Sequence, residues 1–180
     1  MNDETSGGRN PTLNNIPEAG SFRGDGLRQH KTQTTRKLQL LSVGPLVLGI
    51  FEDEIATIAD WRRPTPLPQA PPAVLGVVSI QGRMLTVLDP LSLFGETTPG
   101  LGFSSGLLVA LRGDEQIGLA IESAGETLEL AMEDIQPPSD PANRALGGII
   151  QYCDQVVNVI QVEGLFPAAL RGRERRRRRF

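Results

Sequence analysis

Acidic and nucleophilic side chains are the residues of this sequence with the clearest capacity for chemistry. Glu52, Asp53 and Glu54 are consecutive, and paired carboxylates can act as a general acid and a general base. Consecutive residues on a turn point in different directions, so this run is predicted to be a solvated bend. The single cysteine, Cys153, and the single histidine, His30, cannot form a disulfide or a Cys/His zinc site within the chain.

The lone thiol is also a poor candidate for a nucleophile. No histidine lies in the part of the chain that is predicted to fold, so Cys153 has no base to activate it. We expect Cys153 to be a small buried apolar residue. The sequence also has no Gly-x-x-x-x-Gly-Lys-[Ser/Thr] phosphate loop. We therefore predict a protein that is not an enzyme and that uses no cofactor, no metal and no small-molecule substrate.

The composition is that of a soluble protein made of short elements. Apolar residues make up 39% of the chain, and the 20 glycines and 14 prolines favour strands and turns over long helices. Only 4% of the residues are aromatic, which argues against a stacking surface for bases or sugars. No apolar run is long enough for a transmembrane helix, and the first residues are polar and acidic, so we expect a cytoplasmic protein.

The net formal charge of −3 is distributed unevenly along the chain. Residues 38–170 hold five Arg and sixteen Asp or Glu, whereas residues 171–180 hold seven Arg and one Glu. Residues 1–36 and the Arg-rich tail at 168–180 are predicted to be disordered. The run that begins at Arg171 and ends at Arg179 could attract nucleic acid, an anionic membrane, or an acidic or other anionic partner, including its own core.

Short apolar runs separated by turn residues fill the middle of the chain and predict nine or ten strands. Asp89 and Gly95 are predicted to cap one helical turn, and residues 162–166 form another. Many short strands without a long amphipathic helix indicate barrels or a sandwich and exclude a βαβ architecture. The predicted strands lie at 38–43, 46–50, 55–61, 74–80, 84–88, 107–111, 116–121, 128–130, 148–152 and 156–160.

The stretch from Pro68 to Asp89 contains the most informative motif. A proline-dense entry precedes a strand in which Gly76 leaves room for close approach of another backbone segment, and Gly82 forms the turn of a hairpin. This pattern resembles the signature of the CheW family of chemotaxis coupling proteins, in which spaced prolines precede an apolar-Gly-Val-x-Asn-Leu-Arg-Gly hairpin. Other blocks resemble the family in the same order, at 48–58, 107–111, 117–122, 127–138, 147–150 and 156–165.

The resemblance covers about residues 37–167, which we predict to be one CheW-like domain. It implies an all-β fold of two interlocked five-stranded SH3-like barrels around a shared apolar core, with short helical turns. It also implies a non-enzymatic adaptor that links the cytoplasmic tips of chemoreceptors to the regulatory domain of a CheA-type histidine kinase. Such a protein would be cytoplasmic and peripheral to membrane receptor arrays.

The resemblance also implies which residues contact partners. The predicted contact residues are Ile55, Thr57, Gly76, Gln81 and Arg83, and Gly82 is predicted to shape the turn between them. Gln81 stands where the family has arginine, and a neutral amide cannot make a charge-assisted hydrogen bond. Thr57 stands where the family often has glutamate. Arg83, two positions after Gln81, is a candidate replacement for the family arginine.

Trp61 and Arg62, followed by Arg63, precede the proline-dense stretch. An exposed tryptophan beside arginines is typical of an interface anchor, whereas a buried one would close the end of a barrel. The sequence leaves both interpretations open. It also leaves open a second function, in which a small β-barrel protein binds nucleic acid or an anionic surface through its Arg-rich tail.

Overall fold

The computed structural model describes residues 34–96, 106–113 and 116–177, with side chains as far as Leu170. Most of the predicted N-terminal disordered segment, including His30, lies outside these residues. The described residues form ten strands, two α-helices and two 3-10 turns, Glu52–Glu54 and Met132–Asp134. Their bounds are β1 Thr35–Val43, β2 Leu46–Phe51, β3 Ile55–Asp60, β4 Val74–Ile80, β5 Arg83–Leu88, α1 Pro90–Phe94, β6 Leu107–Leu111, β7 Ile117–Ile121, β8 Ser123–Ala131, β9 Leu146–Tyr152, β10 Gln155–Ile160 and α2 Val162–Arg177.

The strands form two five-stranded sheets, which confirms the predicted all-β fold. One sheet has the order β8-β1-β2-β10-β9 and the other has the order β3-β6-β7-β5-β4. In each sheet one neighbouring pair is parallel, β2 with β10 and β5 with β7, and the other pairs are antiparallel. We call the sheet that contains β1 barrel A and the sheet that contains β3 barrel B.

The two barrels have the same topology in a different chain order. β3, β4, β5, β6 and β7 of barrel B correspond in position to β8, β9, β10, β1 and β2 of barrel A. The β4–β5 and β9–β10 hairpins are thus equivalent. Each residue of the β9–β10 hairpin lies 72 positions after its counterpart in the β4–β5 hairpin, as Gly148 does after Gly76. β1 and β2 belong to barrel A, whereas the other strands of barrel A, β8 to β10, follow those of barrel B in the sequence. The chain therefore passes from barrel A to barrel B and back again, so the two barrels are interlocked.

The central strands are buried on both faces, which explains why they read as continuous apolar runs. In β1, Leu38 and Leu40 face the core of barrel A, whereas Leu41 and Val43 face a core shared by both barrels. β6 alternates in the same way between the barrel B core and the shared core. The shared core thus holds the barrels together, and its large fully buried members include Leu41, Leu48, Ile50, Leu88, Leu111, Leu119, Ile121 and Leu165.

The edge formed by β4 in barrel B and by β9 in barrel A is covered by a connecting segment. In barrel B, Thr65 pairs with Val77 of β4, with N–H to O distances of 2.8 and 2.9 Å. In barrel A, Gln136 pairs with Ile149 of β9, with both distances at 2.9 Å. We call these segments, residues 61–73 and 132–145, the straps. The straps satisfy backbone groups that an edge strand would otherwise leave open.

Both helices begin after the second strand of a hairpin, but they differ in length. α1 has Asp89 at its N-cap, where the carboxylate accepts a hydrogen bond from the Leu91 N–H at 3.1 Å, and Gly95 at its C-cap, as predicted. The prediction of a single turn at 162–166 was wrong, because α2 continues to Arg177 through Pro167. Leu165 and Ala169 are fully buried in the shared core, and this packing holds the helix on both sides of the proline.

Candidate partner-binding surface

The hairpin between β4 and β5 turns through two residues, Gln81 and Gly82. Ile80 pairs with Arg83 across the turn, and Gln81 and Gly82 have φ angles of 50° and 78°. Two successive positive φ angles characterise a type I′ turn, which matches the twist of the flanking strands. The predicted role of Gly82 in shaping the turn agrees with this geometry, and Gln81 projects from the same turn as an exposed side chain.

Four exposed side chains surround this turn. Met84 is 61% exposed and lies opposite Ser79, and Arg83 is exposed beside it. The Arg62 Nη1 lies 3.5 Å from the Ser79 carbonyl oxygen, so the strap brings a second arginine to the same place. We call the surface formed by Arg62, Ser79 and residues 81–84 the β4–β5 tip.

Met84 is the residue at this surface that the sequence did not single out. Leu85, Val87 and Leu88 place apolar side chains on both faces of β5, so alternation alone could not tell which face is exposed to water. The feature of the sequence that could have indicated the exposure of Met84 is its position directly after Arg83, at the start of the strand that follows the hairpin turn. An exposed methionine beside two arginines is a flexible apolar surface of the kind that protein partners bind.

Gly76 lies away from the β4–β5 tip and is buried. Its φ is +140°, and a Cβ atom at this position would lie 2.2 Å from the Thr65 carbonyl oxygen. The glycine therefore allows the strap to approach β4, which is the close backbone approach predicted for it. A partner contact by Gly76 stays a prediction, and its described neighbours give it a role in closing the barrel.

Ile55 and Thr57 lie on β3, which β6 and β7 separate from β5 in the sheet. Ile55 packs against the shared core, whereas Thr57 is half-buried and pairs with Ala110, after a register shift that separates it from Ile55. The exposed side of β3 carries Ala56, Ile58 and Asp60 instead. The predicted contact residues thus fall into two groups on different strands, and their partner contacts stay predictions.

Trp61 follows β3 and is half-buried over the core of barrel B. Ala59, Leu75 and Val78 are half-buried against the same core. The backbone N–H of Trp61 donates to the Gly106 carbonyl at 3.1 Å. This placement matches the interpretation in which the tryptophan closes a barrel end, while Arg62 beside it is exposed.

The carboxylate run forms the crossover from barrel A to barrel B. Arg36 binds Asp53 at 2.6 Å and Glu54 at 3.3 Å, and its guanidinium lies 3.7 Å from the centre of the Phe51 ring. Glu54 is half-buried, so the prediction of a solvated bend was wrong for this residue. The hydrogen bond from Arg36 lowers the pKa of Asp53. Burial raises the pKa of Glu54 against the influence of Arg36, and Asp53 and Glu163 add to the increase.

Cys153 is exposed, which contradicts the prediction that it is buried. It occupies the β9–β10 turn with Asp154, and the φ angles of the two residues are 46° and 62°. A turn of this type lies at the end of a hairpin, so its residues project into solvent whatever their polarity. The neighbouring Tyr152 hydroxyl bonds to Glu126, which raises the pKa of Tyr152 to about 12.

Comparisons with known proteins agree with this architecture. A family model described as the CheW-like domain matches residues 37–170. The chain belongs to this family. The chemotaxis protein CheW of Rhizobium meliloti (strain 1021) is 25% identical over 144 residues, which cover 78% of this chain and 93% of that protein.

A solved structure has the same fold as this CheW-like chain. The crystal structure of the scaffolding protein TtCheW from Thermoanaerobacter tengcongensis superposes with a TM-score of 0.62 at 18% sequence identity. The match covers 71% of this chain and 90% of that protein. The two five-stranded sheets described above are therefore those of a CheW fold.

Two further features of the CheW-like chain bear on catalysis. Residues 102–106 read Gly-Phe-Ser-Ser-Gly, which fits the Gly-x-Ser-x-Gly pattern of hydrolase nucleophile elbows. That elbow requires a helix after the serine, whereas β6 begins here at Leu107. Among the described residues, no group of three His, Cys, Asp or Glu side chains could hold a metal ion.

No helix in the described part of the chain is long and apolar enough to cross a membrane.

Proposed function

We propose that this chain is a non-enzymatic adaptor that couples chemoreceptors to a CheA-type histidine kinase. The observation that carries the proposal is the CheW-like match over residues 37–170, which includes both barrels. Its relative in Rhizobium meliloti is named a chemotaxis protein, and TtCheW is described as a scaffolding protein. The protein would act in the cytoplasm, at the receptor arrays.

The two-barrel architecture supports a bridging role. A protein that holds two partners together needs two separate surfaces on one stable framework. The shared core provides the framework, because residues of both sheets are buried in it. Each barrel then ends in a hairpin turn of the same geometry, at Gln81-Gly82 and at Cys153-Asp154, with different side chains around it.

The β4–β5 tip is the surface that we assign to partner binding. Gln81 lacks the charge of the family arginine, but Arg83 follows it two residues later and Arg62 reaches the same surface from the strap. Guanidinium groups can make bidentate bonds to carboxylates, so the tip can still contact an acidic partner. Met84 adds an exposed apolar contact at the centre of this surface.

Isothermal titration of the full chain tests the proposal against two partners separately. The partners are the regulatory domain of the cognate CheA-type kinase and a soluble fragment that contains the receptor's cytoplasmic tip. We expect a dissociation constant of about 1–10 μM for at least one of them, which corresponds to roughly 7–8 kcal/mol of binding free energy. No binding of either partner at about 100 μM would contradict the coupling function.

A further inference from the structure

The strap of barrel B has an extended backbone that its own prolines favour. Residues 63–68 alternate between residues that precede a proline and the prolines themselves, at 64, 66 and 68. Proline fixes its own φ at about −65°, and it disfavours helical angles at the residue before it. Every residue of this run is therefore restricted to an extended or polyproline II conformation before any partner binds.

Two contacts fix this run to barrel B and leave the residues after them in solvent. Pro64 is buried, and Thr65 makes the two backbone hydrogen bonds with Val77 of β4. The next three residues, Pro-Leu-Pro at 66–68, are exposed, and Leu67 is 43% exposed. We call residues 66–68 the strap ridge.

A β-turn ends the strap ridge. The Ala70 N–H donates to the Leu67 carbonyl at 3.3 Å, which closes a turn of four residues. Pro68 is the second residue of this turn, and Gln69, the third, has a φ of 55°. Proline followed by a positive φ is typical of a type II turn. The strap ridge is thus fixed at both ends, so its conformational entropy is largely lost before binding.

The strap of barrel A has a polar segment at the equivalent place. After its pairing with β9, residues 137–140 read Pro-Pro-Ser-Asp. Pro138 is half-buried, whereas the exposed Ser139 and Asp140 are polar. Of the two straps, both of which lie within the described residues, that of barrel B is the one with a large exposed apolar side chain between two prolines.

The strap ridge lies close to the β4–β5 tip. The strap runs antiparallel to β4, with Arg62 against Ser79 at the tip and Thr65 against Val77. Leu67 follows Arg62 by five residues, which is about 16 Å of extended chain. A standard interface covers about 800 Å² on each partner, which corresponds to a patch roughly 30 Å across. One partner can therefore cover the tip and the strap ridge together.

The chemistry of the strap ridge indicates which surface fits it. Proline has no N–H, so the ridge offers apolar side chains and carbonyl oxygens, and its one backbone donor is the N–H of Leu67. A matching surface is an apolar groove with aromatic donors, the Trp N–H and the Tyr O–H, as in domains that bind proline-rich segments. Arg62 and Arg63 precede the ridge and are exposed, which favours a carboxylate at one end of the groove.

We propose that the partner that binds the β4–β5 tip also binds the strap ridge, in a groove that is lined by aromatic side chains and ends at a carboxylate. This inference rests on the proposed coupling function, because it concerns one of the same two partners. It adds to the tip a second, apolar contact on a different segment of the chain.

Titration calorimetry with variants of the full chain tests this proposal on the kinase regulatory domain and the receptor's cytoplasmic tip separately. Leu67→Ser should weaken binding about tenfold for the partner that Met84→Ala also weakens, and should not affect the other partner. Pro66→Ala should weaken the same binding about twofold to threefold, because the free strap becomes less restricted. Met132→Ser is the matched control, since Met132 is 39% exposed in the strap of barrel A, and it should change neither affinity.

Methyl NMR of the natural chain tests the nature of the groove. The Leu67 methyl signals, assigned from their absence in Leu67→Ala, should move upfield when the partner is added, because aromatic rings shield methyl groups above them. Methyl signals that do not move upfield would overturn the aromatic groove.

The titrations separate failure of this proposal from failure of the coupling function. Unchanged affinities in Leu67→Ser, or an effect on a partner that Met84→Ala leaves unaffected, would overturn the proposal and leave the coupling function intact. An equal effect of Met132→Ser would do the same. Binding of neither partner by the natural chain would overturn both.

Discussion

Barrels A and B share one topology but end in chemically different hairpins. The β4–β5 tip of barrel B combines Met84 with Arg62 and Arg83. The equivalent hairpin of barrel A has Cys153 and Asp154 in its turn, and Tyr152 beside it bonds to Glu126. At the position of Met84, barrel A has Val156, which is 45% exposed. One end is thus basic and the other acidic, so a repeated framework offers two surfaces that different partners can distinguish.

The largest expected effect comes from breaking the strap closure in each barrel. At Gly76 an added methyl group meets strap backbone at a positive φ, so Gly76→Ala should cost about 3 kcal/mol or more of unfolding free energy. At Gly148 the methyl group would lie 2.3 Å from Ile135 Cγ2 and 2.6 Å from the Gln136 carbonyl oxygen, without a positive φ. Gly148→Ala should therefore cost less, about 2 kcal/mol. Urea denaturation measures both.

Gly147→Ala is the matched control for this prediction. Gly147 adjoins Gly148 in β9, but the nearest atom to its added methyl group is the flexible end of Gln161, at 3.2 Å. Its substitution should change the free energy of unfolding by less than about 0.5 kcal/mol. Equal losses at Gly147 and Gly148 would show that strap closure is not the cause.

The second prediction separates the two hairpins by binding. Met84→Ala should weaken binding of the partner that occupies the β4–β5 tip about tenfold, or about 1.4 kcal/mol, because it removes the central apolar contact. Val156→Ala should leave that affinity unchanged, since Val156 lies on the other barrel. Titration calorimetry with the kinase regulatory domain and the receptor tip identifies the affected partner. Equal weakening by both variants would contradict the assignment of the tip.

A smaller effect is expected when the strain in the two turns is relieved. Gln81 and Cys153 both have φ angles near 50°, where a side chain is disfavoured and glycine is not. Gln81→Gly and Cys153→Gly should each stabilise the fold by about 0.5 kcal/mol, after the greater flexibility of glycine in the unfolded chain is subtracted. Thermal unfolding measures the change. A decrease in stability would indicate that these side chains make contacts that outweigh the strain.

The smallest effects concern the crossover turn and depend on pH. Asp53 has a lowered pKa, so it contributes stability above its ordinary value of 3.8, which is lost as the pH falls through the folded value. Asp53→Asn should thus destabilise the fold at pH 7, and this effect should decrease as the pH falls below 3.8. Glu54 has a raised pKa, so its ionisation costs stability at neutral pH.

Glu54→Gln should therefore stabilise the fold at pH 7 by about 0.5 kcal/mol, because solvent screening reduces the effect of a half-exposed group. The gain should disappear below the ordinary pKa of 4.5, where the carboxyl is already protonated. Denaturation curves at several pH values compare the two variants directly. If Glu54→Gln destabilises the fold at pH 7, the hydrogen bond from Arg36 outweighs the cost of burial.

Local sequence patterns were sufficient to predict most strands and turns, but not which side chains are exposed at the surface. The cap at Asp89, the close approach at Gly76 and the turn at Gly82 follow from residues that are adjacent in the sequence. The exposure of Cys153 and Met84 depends on which side of a hairpin faces the body, which is set by contacts with distant strands. In the sequence, Pro167 favours an end of the helix before the arginine segment. In the structure the helix continues past Pro167, because Leu165 and Ala169 are buried in the shared core.

The coupling function is tested most directly by co-sedimentation with receptor-bearing vesicles. Vesicles that display receptor cytoplasmic tips are mixed with the regulatory domain of the CheA-type kinase, with and without this chain. We expect the kinase domain to pellet with the vesicles only when the chain is present, and Met84→Ala to reduce the amount recovered. Equal recovery of the kinase domain with and without the chain would contradict the coupling function.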